Sequence, residues 1–183
     1  MAKRANGPPE HNDEAVLVAV RFRVLTLREQ PEPLVAPDEI ARAERELGFP
    51  LPSLLRLLLT RIGNGGFGPG PLMGLEGGAT DDQGDTLDKW YLDSRRLAPK
   101  DDKGSTTWPR GLVPLCTWGC GAYSCVDCLS PGSPIIRFDP SGGLSNVSRC
   151  LSPEGYTLRE WLKAWADGDE ILARGLGRSR VSP

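Results

Sequence analysis

PDEIARAERELGFPLPSLLRLLLTRIGNGGFGPG, residues 37–70, predicts two short helices that are joined by a tight link and followed by a glycine-rich turn. Pro37 suits a first helical position, because its missing N–H would be unpaired there anyway. Gly48 can adopt the left-handed conformation that ends a helix. The link 49–51 contains a proline and cannot continue that helix, so the chain must turn before a second helix starts at Pro52.

Both predicted helices have an apolar face at helical spacing. In the first helix this face comprises Ile40, Ala43 and Leu47. In the second it comprises Leu54, Leu55, Leu58, Leu59 and Ile62. Burial of such side chains stabilises a fold by roughly 1.5–3 kcal/mol each. The stretch therefore predicts a helical hairpin with a defined inner face.

Parts of this hairpin and the turn after it resemble the signature of the SMI1/KNR4 family (SUKH superfamily). The residues that carry the resemblance are Glu44, Leu47, Gly48, Leu51, Pro52, Asn64, Gly65 and Gly66. The resemblance covers roughly residues 37–165 and implies an α+β fold with a small antiparallel sheet packed against helices. It also implies a non-catalytic protein-binding domain, here an immunity protein that neutralises a cognate bacterial toxin. A regulatory scaffold of the same family is the alternative.

Length and charge place further limits on the protein. A chain of 183 residues suits one domain, and a formal net charge of −2 gives no long-range attraction to nucleic acid or to an anionic membrane. No apolar run approaches the ~20 residues of a membrane span, and no signal peptide is recognised. We therefore expect a cytoplasmic protein whose five cysteines are reduced.

The expected domain organisation is a disordered leader at residues 1–12, a single domain at 13–173 and a flexible basic tail at 174–183. The domain is expected to open with a helix from Glu14 to about Arg28, capped by Asp13. Its apolar side would comprise Val16, Val20, Val24 and Leu27. The many β-branched residues of this segment favour a strand as the alternative.

After the hairpin the pattern predicts a mixture of strands, loops and helices. In chain order these are a short strand at 72–75, an acidic loop at 76–85, a helix at 86–97, a flexible segment at 99–107, antiparallel strands at 111–117, 123–128 and 134–138, and a loop at 141–152. Thr157 and Glu160 form a capping box for a last helix. The apolar face of that helix comprises Leu158, Trp161, Leu162 and Trp165.

Two motifs in the sequence are of a kind that can bind a ligand. Gly63–Gly68 satisfies G-x-G-x-x-G, but it follows a helix rather than a strand, so we interpret it as a structural turn. Four cysteines, Cys116, Cys120, Cys125 and Cys128, lie close in sequence, and the last two have the spacing of a zinc-ligand pair. A zinc ribbon separates its two pairs by a longer stretch. We interpret these cysteines as buried or half-buried free thiols, with a zinc site as the alternative, and expect no cofactor.

The sequence contains few residues that could act in catalysis. The only histidine, His11, lies in the expected leader, which argues against Ser-His and Cys-His nucleophile pairs. The acidic residues Asp81, Asp82, Asp85 and Asp88 do not match a calcium loop and are interpreted as a solvated cluster. We therefore predict that the protein is not an enzyme.

A partner-binding surface is predicted from the acidic segment 76–88 and from the aromatic segment 104–123. Its candidate residues are Asp81, Asp82, Asp85, Asp88, Trp108, Trp118 and Tyr123. Such a surface would complement a basic patch on a toxin, although Trp108 and Trp118 are equally compatible with the core. Glu44 is expected to form an ion pair or a hydrogen bond to a neighbouring turn. Three arginines in the tail are too few for nucleic-acid binding.

Overall fold

The computed structural model describes residues 9–97, 108–142 and 147–169. Within these ranges the chain forms five α-helices, four β-strands and two short 3-10 helices, so the predicted α+β class is confirmed. In chain order they are α1 (Pro9–Leu27), α2 (Pro37–Leu47), α3 (Ser53–Arg61), α4 (Leu87–Leu97), β1 (Leu112–Thr117), β2 (Tyr123–Asp127), β3 (Pro134–Phe138), the 3-10 helices Pro140–Gly142 and Val147–Cys150, β4 (Leu151–Thr157) and α5 (Leu158–Asp167). The predicted flexible segment 99–107, the basic tail 174–183 and residues 1–8 of the predicted leader lie outside the described residues.

The helical hairpin forms as predicted from α2 and α3. At its start the backbone N–H of Ala36 donates to the Glu39 carboxylate at 2.8 Å, and at the end of α2 Gly48 adopts a left-handed φ of 81°. The inner face of α2 is buried, and α3 buries four of its five predicted apolar residues, the exception being the half-buried Ile62. Local capping and burial together explain why this segment is helical.

The four strands form one antiparallel sheet in the order β1-β2-β3-β4. Tyr123 of β2 lies directly opposite Phe138 of β3, and α4 packs against β1. The three central predictions, β1 to β3, are confirmed to within a residue at each end. The sequence pattern does not predict the fourth strand: it predicts a loop up to residue 152 and no element at 153–156. Pro153 and Gly155 weaken the strand pattern, and both are tolerated here because β4 is an edge strand.

The short strand predicted at Leu72–Leu75 is wrong. This segment makes one backbone hydrogen bond to the sheet, from the N–H of Met73 to the carbonyl oxygen of Leu115 at 2.7 Å. Its other backbone groups bond to neighbouring turns and not to a strand: the carbonyl of Leu72 accepts from the N–H of Gly66, the N–H of Gly74 donates to Ala79, and the N–H of Leu75 donates to the Asn64 side chain. The segment is therefore a buried connection and not a strand.

The first helix begins earlier than predicted. Helix α1 starts at Pro9, so residues 9–12, including His11, belong to the helix and not to a disordered leader. The strand alternative is wrong as well. Of the predicted apolar side, Val16, Val20 and Val24 are buried, whereas Leu27 remains 45% exposed at the end of the helix.

Asp13 is not the cap of α1 but an ionic link between three helices. Its carboxylate accepts from Nε of Arg159 in α5 at 3.0 Å and from the Ser53 hydroxyl of α3 at 2.6 Å. The side chain of Asp13 is only 3% exposed. Helix α5 itself carries the predicted capping box, in which Thr157 accepts from the N–H of Glu160, and its four predicted apolar residues are all buried.

Replacing Asp13 by alanine should lower the free energy of unfolding by about 1–3 kcal/mol, because it removes a buried carboxylate that accepts from the half-buried Arg159 and from the hydroxyl of the exposed Ser53. Urea denaturation followed by tryptophan fluorescence measures this change. The adjacent Glu14→Ala variant is the control, because Glu14 pairs with Arg61 at the exposed surface and such pairs contribute less than ~1 kcal/mol. Equal effects of the two variants would contradict the link.

Candidate functional site

The residues of the family signature hold the fold together. The Glu44 carboxylate accepts from the backbone N–H of Leu51 at 2.7 Å and lies 3.7 Å from Nε of Arg56. The predicted hydrogen bond to a neighbouring turn is thus confirmed, although Glu44 is half-buried and not fully on the surface. Leu47 and Leu51 are buried in the core, and Pro52 directly precedes α3. These residues join the two helices of the hairpin through one side-chain hydrogen bond and through buried apolar side chains.

Asn64 fixes the connection that follows the hairpin. Its side-chain oxygen accepts from the N–H of Leu75 at 2.7 Å, and its side-chain nitrogen donates to the carbonyl of the same residue at 3.2 Å. Its backbone carbonyl accepts from Ala79 at 2.9 Å. Asn64 is itself buried, so its side chain and backbone together pair with two points of this internal connection, Leu75 and Ala79.

The glycines of the turn are required by their conformation and by space. Gly65 and Gly66 have φ values of 84° and 80°. A Cβ atom on Gly65 would lie 2.8 Å from the amide nitrogen of Gly74, and closer still to the carbonyl oxygen of Leu72. The G-x-G-x-x-G pattern is therefore a structural turn, as predicted, and its glycines serve backbone packing.

Two of the four aspartates predicted to be solvated are buried. The Asp81 carboxylate accepts from the Tyr123 hydroxyl at 2.7 Å and from the backbone N–H groups of Gln83 and Asp85 at 2.9 and 3.0 Å. Asp88 accepts from the Thr86 hydroxyl at 2.6 Å. Both side chains are used inside the protein, so the prediction of a solvated cluster is wrong for them. Asp82 is exposed and Asp85 is half-buried.

The predicted surface aromatics divide between two faces of the sheet. Trp108 and Tyr123 are buried and, with Trp90 and Phe138, form a cluster in which the ring centroids of interacting pairs lie 4.8–6.2 Å apart. Trp108 is therefore a core residue, which is one of the two alternatives left open for it, and the assignment of Tyr123 to an exposed surface is corrected. Trp118 is half-buried, and its indole N–H donates to the Ser124 hydroxyl at 2.7 Å. Ser124 follows Tyr123 in β2, so the two side chains lie on opposite faces of the sheet.

A concave pocket of about 550 Å³ opens beside the four-ring cluster. We call it the aromatic pocket. Helix α4 forms one wall, and the ends of β2 and β3 form the other. Its lining comprises the four rings together with Asp85, Asp93, Ser94, Leu97, Gly121, Pro140 and Val147. A mostly apolar concavity with a few polar groups at its rim is the usual form of a binding site.

The structure brings three of the predicted partner-binding residues to this pocket, namely Asp85, Trp108 and Tyr123, and places the others elsewhere. Sequence reasoning misses Asp93 and Phe138 as site residues. It places Trp90 both on the apolar side of the helix at 86–97 and among the aromatics near loops, which are enriched at interfaces. One signal was available for Asp93: it lies one helical turn after Lys89, with which it pairs at 3.5 Å. Nothing in the sequence indicated that Phe138 would face Tyr123.

The charges at the rim suit binding rather than proton transfer. Lys89 pairs with both Asp85 and Asp93, and the hydrogen bond to Asp85 raises the pKa of Lys89. Burial, followed by the hydrogen bond to Asp81, raises the pKa of Tyr123 well above its usual value. Tyr123 therefore remains a neutral donor, and the pocket presents rings and carboxylates.

The cysteines do not form a metal site within the described part of the chain. Cys116 and Cys125 are buried, Cys128 lies in the turn after β2 and is half-buried, and Cys120 is exposed, which corrects its expected burial. Among the described residues no group of three or more His, Cys, Asp or Glu side chains is placed to hold a metal ion. The geometry therefore gives the zinc alternative no support.

Burial makes most of these thiols unreactive. It raises the pKa of Cys116 and of Cys128 to about 12 and that of Cys125 well above its usual value. Since the thiolate is the reacting form, we expect Cys120 to react with a chromogenic disulfide reagent far faster than these three. Stopped-flow absorbance measures the phases, and Cys120→Ser should abolish the fast one. A fast phase that persists in this variant would contradict the assignment.

The helical hairpin, the antiparallel sheet and the buried signature residues define a small α+β domain with a surface pocket. The sequence model of the SMI1 / KNR4 family (SUKH-1) matches residues 34–164. The chain therefore belongs to the SMI1/KNR4 family. No curated protein matches the sequence closely enough to add to this assignment. No helix among residues 9–97, 108–142 and 147–169 combines the length and apolar character that crossing a membrane requires.

Proposed function

We propose that this protein is a non-catalytic immunity protein that acts in the cytoplasm, where it binds a cognate bacterial toxin and blocks it. Membership of the SMI1/KNR4 family supports the class of function by analogy of fold. The observation that carries the proposal is the aromatic pocket. It is the place where large side chains, which dominate binding energy at protein interfaces, meet a rim of carboxylates.

The charge around the pocket supports a basic partner. Residues 76–97 contain six acidic and three basic residues, although the chain as a whole is close to neutral. This local excess would attract a basic surface and orient it during encounter. A toxin that acts on nucleic acid carries such a surface, because it must bind phosphates.

The pocket would then hold a basic side chain of the toxin. A lysine or arginine that enters next to Trp90 would gain a cation–π interaction, which contributes about 0.5–2 kcal/mol. The carboxylates of Asp85 and Asp93, which now pair with Lys89, would also pair with this incoming basic side chain. Inhibition follows by occlusion, since a basic residue held in the pocket is no longer available to a phosphate.

Co-expression tests this function directly. Cells that produce a toxin encoded beside the gene should survive when this protein is present and die without it. A pull-down from the same cells should return the toxin as a stoichiometric complex. Death in spite of co-expression with every neighbouring toxin, together with an empty pull-down, would contradict the immunity role. Capture of a housekeeping protein instead would favour the regulatory scaffold.

A further inference from the structure

Helix α1 has a second apolar face that is turned away from the core. Val18, Phe22 and Leu25 are 66%, 71% and 71% exposed. They follow one another at spacings of four and three residues, so they form a single stripe along the helix. The buried residues Val16, Val20 and Val24 lie on the opposite side of the same helix. This exposed stripe is not needed for the fold.

The stripe has the spacing of a short coiled-coil seam. A heptad pattern places Val18 and Leu25 at one core position and Phe22 at the other, with the small Ala15 completing the seam at one end. Together the three large side chains present on the order of 400 Å² of apolar surface, within the size range of the largest apolar patch on a typical monomer, which is often functional. That is about half of what each partner contributes to a standard interface.

The charges that flank the stripe select a second copy of this helix in antiparallel orientation. The exposed residue Glu14 lies near its start, and the exposed residue Arg28 directly follows its end. An antiparallel pair would place Glu14 of each copy near Arg28 of the partner subunit. In a parallel pair the flanking position of Glu14 and Arg28 would face Ala19 and Thr26 instead, and neither charge would find a partner. The exposed residue Arg21 occupies the same flanking position and meets its own copy in the antiparallel pair, so the two Glu14–Arg28 contacts act against one repulsive contact. The carboxylate of Glu14 already contacts Arg61 on its own chain, but it has capacity for a second donor.

We propose that the protein forms a reversible homodimer through an antiparallel pairing of α1 with α1. In this pairing Phe22 lies on the two-fold axis, and Val18 packs against Leu25 of the partner subunit. The interface is isologous, so it closes and does not propagate into fibres. The proposal does not depend on the immunity function, because the aromatic pocket is formed by other elements, α4, β2 and β3.

Sedimentation equilibrium of the full-length chain over a concentration series tests the dimer. The wild type should approach twice the monomer mass of 19.8 kDa as concentration rises, whereas Phe22→Asp should stay monomeric with an unchanged circular dichroism spectrum. Leu34→Asp is the matched control, because Leu34 is also exposed, at 57%, but lies outside α1; it should still dimerise. A wild type that stays monomeric throughout would overturn the proposal. So would a monomer that dimerises only after truncation at Asp169, because residues 170–183 would then be the occupant of the stripe.

Disulfide trapping tests the orientation in a Cys120→Ser background. A mixture of the Val18→Cys and Leu25→Cys variants should give a covalent dimer under mild oxidation, and each variant alone should give at least tenfold less. Disulfides form only when the Cα atoms approach within about 7 Å, so the pattern reports register. Efficient linking of each variant to itself would show a parallel pair and overturn the antiparallel arrangement. Absence of any cross-link in the mixture would overturn it as well.

Discussion

Replacement of Asn64 by alanine is expected to lower the free energy of unfolding by about 1–4 kcal/mol. Inside the protein the side-chain oxygen of Asn64 accepts from the N–H of Leu75, and its nitrogen adds a longer bond to the Leu75 carbonyl, which also accepts from the N–H of Gly78. Each buried polar group that loses its partner costs about 1–3 kcal/mol, and the truncation also leaves a small cavity. Urea denaturation monitored by tryptophan fluorescence gives the change in midpoint at constant slope.

The neighbouring loop offers a control for Asn64. Gln83 is exposed, and its hydrogen bond to Asp81 uses only the backbone N–H, so Gln83→Ala should shift stability by less than ~0.5 kcal/mol. An Asn64→Ala variant with the wild-type midpoint would show that water replaces the side chain. In that case the signature asparagine would have to be explained by something other than the fold.

Gly65→Ala is expected to prevent folding or to destabilise the protein by more than about 4 kcal/mol. The new Cβ would lie 2.8 Å from the amide nitrogen of Gly74 and closer still to the carbonyl of Leu72, both of them backbone atoms. The positive φ of 84° adds strain of its own. Expression yield, circular dichroism and a thermal melt measure the outcome.

Gly48→Ala separates strain from steric overlap. Gly48 has a similar φ of 81°, but a Cβ there meets nothing within 4 Å. The Gly48→Ala variant should therefore lose only roughly 1–2 kcal/mol of unfolding free energy, which is what a left-handed conformation costs an ordinary residue. If both glycine variants lost the same amount, the close approach of backbone at Gly65 would contribute nothing, and the assigned role of the turn would be wrong.

Local signals explain why so much of the fold could be predicted. The hairpin was recognised because Pro37 and Gly48 mark the ends of a helix through their own backbone preferences. The capping box at Thr157 is likewise encoded within four residues. Both ends of strand β3, Pro134–Phe138, agree with the prediction, because a turn lies immediately before the strand and a loop follows it closely in the sequence. Each of these signals acts over a few residues.

The errors share a cause, which is that burial depends on distant parts of the chain. Asp81 is buried because Tyr123, 42 positions later, donates to it, and an acidic loop gives no sign of such a partner. Strand β4 forms because β3 offers an unpaired edge, and not because its own residues favour a strand. The aromatic pocket needs Trp90 and Phe138 to meet, and their spacing in sequence does not indicate this.

The family signature serves the fold, and we propose the aromatic pocket as the site of partner recognition. The most direct test is the dissociation constant for the cognate toxin, measured by calorimetry with a Ser94→Arg/Leu97→Arg double variant. Both residues line the pocket, so the added arginines should repel a basic side chain and raise the dissociation constant at least tenfold, about 1.4 kcal/mol. Leu34→Arg, at an exposed position outside the pocket lining, should bind like the wild type. Wild-type affinity in the folded double variant would contradict the assignment of the pocket.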